Sequence, residues 1–119
     1  MANTKDLGKA GEEAAAEYLK SKGFEILTTN YFHKGAEIDI IALDNGILVF
    51  CEVKTRNNPD FDPDFSVNKS KIRKLKNAAN GYYFYSGIDE HECRFDLIIA
   101  RPAGQGKFDI THHINAFDY

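Results

Sequence analysis

Residues 37–54 read EIDIIALDNGILVFCEVK, which is two apolar runs joined by Asn45-Gly46. An Asn-Gly pair in this position favours a two-residue type I′ turn, because both central residues of that turn take a positive φ. The turn pairs Asp44 with Ile47 and joins two antiparallel strands. The segment therefore predicts a β-hairpin, and the rest of the fold is expected to build on it.

The register of this hairpin brings ionisable side chains together at its open end. Counting outward from the turn places Asp39 directly opposite Glu52, and Glu37 opposite Lys54. Opposed residues have Cβ atoms about 4.5–5.5 Å apart, and two like charges at that distance destabilise a sheet. A divalent cation held between the two carboxylates is the simplest reason for such a pair.

Alternation along the two strands assigns their side chains to faces. Ile38, Ile40 and Ala42 are predicted to share one face of the first strand. The opposite face is predicted to be apolar near the turn and ionic at the far end, because it carries Asp39 and, from the second strand, Leu48, Phe50, Glu52 and Lys54. This pattern indicates an active site at a sheet edge, resting on an apolar base.

Carboxylate oxygens at this spacing suit Mg²⁺ or Mn²⁺, which prefer hard oxygen ligands. Such a cation polarises a phosphoryl oxygen and lowers the pKa of a bound water, which is the chemistry of phosphodiester hydrolysis. Lys54 then fits the role of holding the water and stabilising charge in the transition state. The ordinary alternative is a cross-strand salt bridge from Lys54 to Glu37 or Glu52, which in water is worth about 0–1 kcal/mol. The spacing alone leaves both interpretations open.

Periodicity and turn residues divide the remainder of the 119-residue chain into helices and strands. Helices are predicted over residues 6–22 and 69–85, and further strands over residues 24–32, 93–100 and 107–114. A loop over residues 57–66 follows the hairpin, and residues 102–106 are predicted to join the last two strands. The order is that of a single α/β domain in which helices pack on a mixed sheet, with a parallel crossover permitted between the third and fourth strands.

A third carboxylate lies on the first predicted helix. Glu12 stands at the edge of the apolar stripe, whose members are Leu7, Gly11, Ala14, Ala15, Tyr18 and Leu19. By helical angle Glu12 is the acid of this helix best placed to reach the sheet, whereas Glu13 and Glu17 point toward solvent. Glu12 either joins the carboxylates of the hairpin or remains a glutamate at the boundary with water.

The second predicted helix carries a basic surface. Residues 66–80 contain five basic residues and no acid, with Lys71 and Lys74 on the opposite flank of the apolar stripe from the other three. Contacts between such residues and phosphates position a nucleic acid without reading its sequence. The alternative is a solvated helix face. The candidate phosphate contacts are Arg56 at the end of the hairpin and Lys69, Lys71, Arg73 and Lys76 on the helix.

Composition narrows the classes of function. The chain is 43% hydrophobic with a net charge of −3, which predicts a folded protein and argues against a strongly basic nucleic-acid coat protein. No apolar run approaches the roughly 20 residues of a membrane span. Cys51 and Cys93 both lie in apolar runs, which favours free thiols in a reducing cytoplasm.

Asp39, followed after twelve residues by Glu52-Val53-Lys54, resembles the signature of the PD-(D/E)XK nucleases. The chain as a whole resembles the YraN-like family of small bacterial proteins, which have a restriction-endonuclease-like fold. It departs from the family pattern at Ala36, where Gly is usual, and at Cys51, which is often Val; both changes leave the acids in place. The matching segments are residues 11–15 (GEEAA), 23–27 (GFEIL), 37–41 (EIDII), 50–56 (FCEVKTR), 94–96 (RFD) and 115–117 (NAF).

The resemblance implies roles for the ionisable residues of the hairpin and of the first helix. It makes Asp39 and Glu52 metal ligands and Lys54 the catalytic lysine. Glu12 resembles the helix-borne acid of the archaeal Holliday-junction resolvases, and Glu37 belongs to the same family motif and has an auxiliary role. The implied fold is a restriction-endonuclease-like three-layer domain over residues 1–119, a mixed five-stranded sheet flanked by helices.

The leading hypothesis is a nuclease that uses Mg²⁺ or Mn²⁺ to hydrolyse DNA phosphodiester bonds, with branched or processed DNA as the candidate substrate. Cutting both strands symmetrically would favour a homodimer. The competing hypothesis is a non-catalytic module of the same fold that binds DNA or a protein partner. A third interpretation is a scaffold in which the ion pairs are structural.

Overall fold

Two helices and five strands follow one another in the predicted order in the computed structural model, which describes residues 4–57, 69–86 and 92–117. Of the loop predicted over residues 57–66, the part from residue 58 onward lies outside the described residues. The side chains of residues 4, 5, 69–71, 85 and 117 also lie outside them. The elements are α1 (Thr4–Ser21), β1 (Glu25–His33), β2 (Ala36–Asp44), β3 (Ile47–Thr55), α2 (Lys69–Ser86), β4 (Cys93–Gly104) and β5 (Lys107–Phe117).

The five strands form one mixed sheet in the order β1-β2-β3-β4-β5. All neighbouring pairs are antiparallel except β3 and β4, which run parallel. A parallel pair needs a crossover connection, and α2 lies between these two strands in the chain. The predicted parallel crossover is therefore confirmed, and the fold is α/β with two helices on a five-stranded sheet.

The hairpin of β2 and β3 turns at the predicted residues. Asn45 and Gly46 have φ values of 49° and 85°, and Asp44 pairs with Ile47. The ladder continues from this pair to Ile40 opposite Cys51 and ends there. The ladder thus stops one position before Asp39 and Glu52, so the predicted direct pairing of these two residues is not formed.

The helices pack on opposite faces of the sheet, because neighbouring residues of β3 divide between two apolar clusters. Leu48 and Phe50 belong to a cluster with the α2 residues Leu75, Ala78 and Ala79. Val49 and Cys51 belong to a second cluster, with Ala15 and Leu19 of α1. Complete burial of side chains of this size stabilises the fold by about 1.5–3 kcal/mol each, so these two clusters dock the helices.

Strand β2 departs from the predicted alternation. Ile40 and Ala42 pack together in the α1 cluster, as expected, but Ile38 packs in the α2 cluster. The side-chain direction therefore changes between Ile38 and Ile40, at Asp39. In the neighbouring strand β1, Asn30 lies at the same level and has a φ of 51°, a left-handed conformation that interrupts the regular extended backbone.

Strands β4 and β5 are longer than predicted. Pro102, assigned from sequence to the connection, pairs with Phe108, and β4 continues to Gly104. Pairing with β3 ends at Ala100, so Pro102 has a neighbouring strand on one side only. A proline, which lacks an N–H, is tolerated in such an edge-like position.

Candidate metal centre

Asp39 is the centre of the candidate site. It lies on β2 where the side chains change face, one position beyond the β2–β3 ladder. Its carboxylate oxygen Oδ2 accepts a hydrogen bond of 2.7 Å from the backbone N–H of Val53. The side chain is thereby held between the open ends of the two strands.

Three carboxylates converge around this position. One oxygen each from Glu12 of α1, Glu37 of β2 and Asp39 lies within 4.8 Å of the other two. Ligands in an octahedral Mg²⁺ shell, at 2.0–2.1 Å from the ion, are separated by at most about 4.2 Å. A cation would therefore draw the three oxygens closer together, and their hard donor character fits Mg²⁺ or Mn²⁺.

Close contact between α1 and β3 brings Glu12 to the sheet. Gly11 is buried, and a side chain placed on it would collide with Oγ1 of Thr55 at the end of β3. A glycine here allows the helix backbone to approach the strand closely. The next residue in the helix, Glu12, is consequently carried to the open end of the hairpin.

The side-chain amide of Asn30 connects two of the three carboxylates. Its Nδ2 atom donates hydrogen bonds to Oε2 of Glu12 at 3.1 Å and to Oε2 of Glu37 at 3.2 Å. One residue of β1 therefore bridges an acid of α1 and an acid of β2.

The electrostatics of the site oppose the charge on Asp39. The pKa of Asp39 is raised to about 7. Burial is the main cause, repulsion from Glu12, Glu37 and Glu52 contributes, and the hydrogen bond from the N–H of Val53 opposes the rise. Without a cation the carboxyl is therefore only partly ionised at neutral pH. A bound cation would relieve both the repulsion and the desolvation of this group.

Asp39 lines two cavities, one beside each helix. The α1-side cavity, of about 220 Å³, is also lined by Lys9, Glu12 and Asn30. The α2-side cavity, of about 310 Å³, is also lined by Glu37, Glu52, Lys74 and Leu75. Both cavities are open to solvent, so a cation at Asp39 is accessible from two directions.

The structure brings together three of the predicted hairpin and helix acids, and it places the other two predicted groups differently. Glu12 and Asp39 meet, and Glu37, predicted as an auxiliary group, is the third member of the cluster. Glu52 lines the α2-side cavity together with Asp39, and its negative charge contributes to the raised pKa of Asp39. Lys54 is partly exposed on β3 and lines neither of the two cavities.

The predicted phosphate contacts are dispersed. Arg56 donates from Nη1 to the carbonyl of Thr55 at 2.8 Å, which directs part of its guanidinium back to the strand end. Arg73 is exposed on α2, whereas Lys76 lies beside the apolar side chains of Ile72, Leu75 and Phe95. The side chains of the two remaining candidates, Lys69 and Lys71, lie outside the described part of the chain.

Sequence reasoning did not select Asn30, Lys74 or Lys9. Among the basic residues of α2 with described side chains, Lys74 is the one that lines the cavity with Asp39. It lies on the same flank of the helix as Lys71, which was selected from sequence, but Lys74 itself was not. Asn30 had a weak signal, since an asparagine within a predicted strand tolerates the left-handed conformation that glycine otherwise supplies.

A second group of ionisable side chains lies away from this site, around Asp96 of β4. Asp96 is fully buried and accepts hydrogen bonds from Arg94 Nε at 2.9 Å, from His112 Nε2 at 2.7 Å and from the N–H of Asn115 at 3.0 Å. Burial alone would raise the pKa of Asp96, but these donors together lower it. Since an ionised carboxylate only accepts, Nε2 of His112 carries the hydrogen of that bond. Arg94 also contacts Asp44 at 3.0 Å, so the group ties β4 and β5 to the hairpin turn.

Comparisons with known proteins agree on one family. A family model described as "Uncharacterised protein family UPF0102" matches residues 11–100, a range that includes every acid of the site. The chain is 46% identical over 118 residues to a UPF0102 protein of Flavobacterium psychrophilum, with 98% of each chain covered. It is 43% identical over 122 residues to one of Christiangramia forsetii, covering 100% of this chain and 99% of the other. It is 39% identical over 112 residues to one of Symbiobacterium thermophilum, covering 93% and 95%. No helix among the described residues is long and apolar enough to span a membrane.

Proposed function

The chain belongs to the uncharacterised protein family UPF0102, and we propose that it is a nuclease that hydrolyses DNA phosphodiester bonds with Mg²⁺ or Mn²⁺. The observation that carries the proposal is the convergence of Glu12, Glu37 and Asp39, whose oxygens lie within 4.8 Å of one another. The raised pKa of Asp39 supports it, because uncompensated negative charge at a solvent-accessible cluster favours a cation. The helices on opposite faces of a mixed sheet support the resemblance to the PD-(D/E)XK fold.

Each residue of the site has a proposed role. Asp39 would hold the cation together with Glu12 and Glu37, whose oxygens lie close to its own. Glu52, which lines the α2-side cavity with Asp39, would contribute a further carboxylate. A bound Mg²⁺ supplies Lewis-acid polarisation of the phosphoryl oxygen and an activated water. Lys54 stabilises negative charge that develops on the substrate.

Basic residues at the rim of the site make phosphate substrates the best chemical fit. Lys74 lines the α2-side cavity and Lys9 the α1-side cavity, so a cation of the protein lies on each side of Asp39. Two lysines at these positions would contact phosphates that flank the reacting one. Such contacts fix the position of a strand without selecting its sequence, which suits DNA recognised by its shape, such as branched or processed DNA. Symmetric cutting of two strands would favour a homodimer.

Cleavage assays on a panel of substrates test the proposal. Single-stranded, duplex, flapped and four-way DNA, together with RNA, are incubated with the protein and Mg²⁺, Mn²⁺ or EDTA. We expect metal-dependent cleavage of at least one DNA substrate, and its loss in Asp39→Asn. Asp109→Asn, at an exposed position of β5, is the matched control and retains activity. Full metal-dependent cleavage by Asp39→Asn would show that the site is assigned incorrectly.

The position of Lys54 favours a second candidate function, a non-catalytic module that binds DNA or a protein partner. Lys54 lines neither of the two cavities at Asp39 that the described residues form, so the lysine of the catalytic signature does not face the acidic cluster through either of them. This alternative predicts binding that is unaffected by Mg²⁺ and sensitive to removal of Lys74 or Arg73. Fluorescence anisotropy with labelled DNA, with and without Mg²⁺, distinguishes it from the nuclease.

A further inference from the structure

We propose that Asn30 is a positioning residue, whose side-chain amide holds Glu12 and Glu37 in the arrangement that a divalent cation requires. This inference rests on the proposed function, because it concerns the same cation. Asn30 acts through the two carboxylates and does not itself contact the ion or the substrate.

The geometry assigns both hydrogens of one amide group to this task. Nδ2 of Asn30 carries two N–H donors, and the two bonds run to Oε2 of Glu12 and to Oε2 of Glu37, at 3.1 and 3.2 Å. Both carboxylates accept through Oε2, and each keeps further lone pairs that could ligate a cation. The two acids come from different elements, α1 and β2, and Asn30 belongs to a third, β1.

The backbone of β1 aims the amide at this position. Asn30 has a φ of 51° and lies between Thr29 and Tyr31, which pair with Ile40 and Ile38. The partners of its two neighbours thus flank Asp39 on β2. Asparagine tolerates the left-handed region better than most residues and also carries the donor that the acids need. Glycine would supply the same backbone conformation without the donor.

Electrostatics explain why the carboxylates need such a group. Three carboxylates whose oxygens lie within 4.8 Å repel one another, and repulsion would drive the flexible glutamate side chains apart. Hydrogen bonds from an amide to ionised oxygens oppose this separation before any cation arrives. Groups that orient metal ligands in this way typically change metal affinity 10–100-fold when they are removed.

A positioning role and a structural role predict different measurements. Asn30 is exposed, and so are its two hydrogen bonds, so their loss changes the stability of the fold little. The same loss should weaken cation binding strongly, because part of the free energy of binding is then used to bring the two glutamates together. The contrast is between an affinity for Mn²⁺ and a free energy of unfolding, measured on the same variants.

The chain offers a matched control at Asn45. Asn45 is also an exposed asparagine with a positive φ, 49°, but it lies in the hairpin turn at the far end of β2. Asn30→Gly and Asn45→Gly therefore make the same chemical change in the same backbone conformation. They differ in whether the deleted amide contacts the acidic cluster.

Binding of Mn²⁺ to the full chain, followed by electron paramagnetic resonance of the free ion and by calorimetry, tests the inference. We expect Asn30→Gly to weaken Mn²⁺ binding about tenfold and Asn45→Gly to leave it unchanged. The unfolding midpoint in EDTA should shift little in both variants. In a Glu37→Ala background the effect of Asn30→Gly should shrink, because one of the two carboxylates that it positions is gone.

The outcomes separate this inference from the proposed function. Wild-type affinity in Asn30→Gly would overturn the positioning role and leave the metal site intact. An equal loss of affinity in Asn45→Gly would overturn it too, since the effect would then be unspecific. Failure of the wild-type chain to bind Mn²⁺ at all would overturn both the inference and the proposed metal-dependent function.

Discussion

Two aspartates of the sheet, Asp39 on β2 and Asp96 on β4, show how the groups around a buried carboxylate oppose or reinforce the effect of burial on its pKa. Asp96 is the more buried, yet its pKa is lowered, because Arg94, His112 and the N–H of Asn115 all donate to it. Asp39 is partly exposed, but the burial of its carboxyl is the main cause that raises its pKa to about 7. It receives one N–H, from Val53, while other carboxylates surround it.

The two sites differ in how far the chain itself compensates the negative charge of the aspartate. The chain itself supplies the positive charge at Asp96, so that site contributes to folding. Among the described residues, Asp39 receives one N–H donor and has three acidic neighbours, so its negative charge is compensated less than that of Asp96. Natural proteins accept such local conflicts at functional sites, at a cost in stability.

Replacing each aspartate by asparagine gives the largest expected contrast. Asp96→Asn should lower the free energy of unfolding by about 3–5 kcal/mol, because its NH₂ group faces donors and the buried ion pair with Arg94 is lost, which leaves Arg94 paired with Asp44. Asp39→Asn should leave the free energy of unfolding unchanged or higher in EDTA, because it removes a charge from a repulsive cluster and can still accept from Val53. Urea denaturation measures both values. A loss of several kcal/mol in Asp39→Asn would contradict the contrast.

The local parts of this comparison could be predicted from sequence, and the non-local parts could not. The hairpin turn follows from Asn45-Gly46, which is a short-range signal. Helical spacing identified Glu12 as the acid of α1 best placed to reach the sheet, but it left open whether Glu12 joins Asp39. The face of Ile38 was predicted incorrectly, since the change of direction at Asp39 accompanies a left-handed residue on another strand.

The position of Lys74 beside Asp39 and the partners of Asp96 illustrate the same limit of sequence reasoning. The flank of α2 that faces the hairpin depends on how the helix docks, so sequence reasoning favoured Arg73 and Lys76 over Lys74. The contact of Asp96 with His112 depends on the register between β4 and β5. The sequence shows two charged residues, Arg94 and Asp96, in an otherwise apolar run. This pattern indicates a buried ion pair, but it does not identify His112 as the third member.

The next largest effect concerns the element that brings an acid to Asp39. Gly11→Ala should lower the free energy of unfolding by about 1–3 kcal/mol, because its side chain would collide with Thr55 and push α1 away from β3. Mn²⁺ affinity should fall as well, since Glu12 moves with the helix. Asp96 draws its donors from β4 and β5, so its hydrogen bonds should persist, with the signal of His112 unchanged in NMR spectra.

Gly8→Ala is the matched control for this change. Gly8 lies one turn earlier in α1, and a side chain added there meets no atom within 4 Å. The substitution should stabilise the helix by about 0.5–1 kcal/mol and leave Mn²⁺ affinity unaltered. Equal effects of the two substitutions would mean that close approach at Gly11 does not position Glu12.

The pH dependence of stability should have opposite signs at the two aspartates. The native state holds the proton of Asp39 more tightly than the unfolded chain does, so this contribution is full below pH 3.8 and is lost as the pH rises towards about 7. The contribution of Asp96 is present above pH 3.8 and is lost as the pH falls through its lowered pKa. In EDTA, Asp39→Asn should therefore gain stability relative to wild type across the range between pH 3.8 and about 7. A gain that persists undiminished at saturating Mg²⁺ would contradict the role of Asp39 as a ligand.

The smallest expected effect comes from Lys74, which lines a cavity together with Asp39. Lys74 is exposed, so Lys74→Ala should barely change the free energy of unfolding, whereas a phosphate contact at that position would make DNA binding weaker. Loss of one lysine–phosphate contact lowers the salt dependence of log K by about one unit of slope. Lys76→Ala, beside Leu75 and Phe95, is the control and should leave that slope unchanged. Anisotropy titrations over a range of salt concentrations measure it. Equal slopes in wild type and Lys74→Ala would mean that Lys74 does not contact a phosphate of the bound DNA.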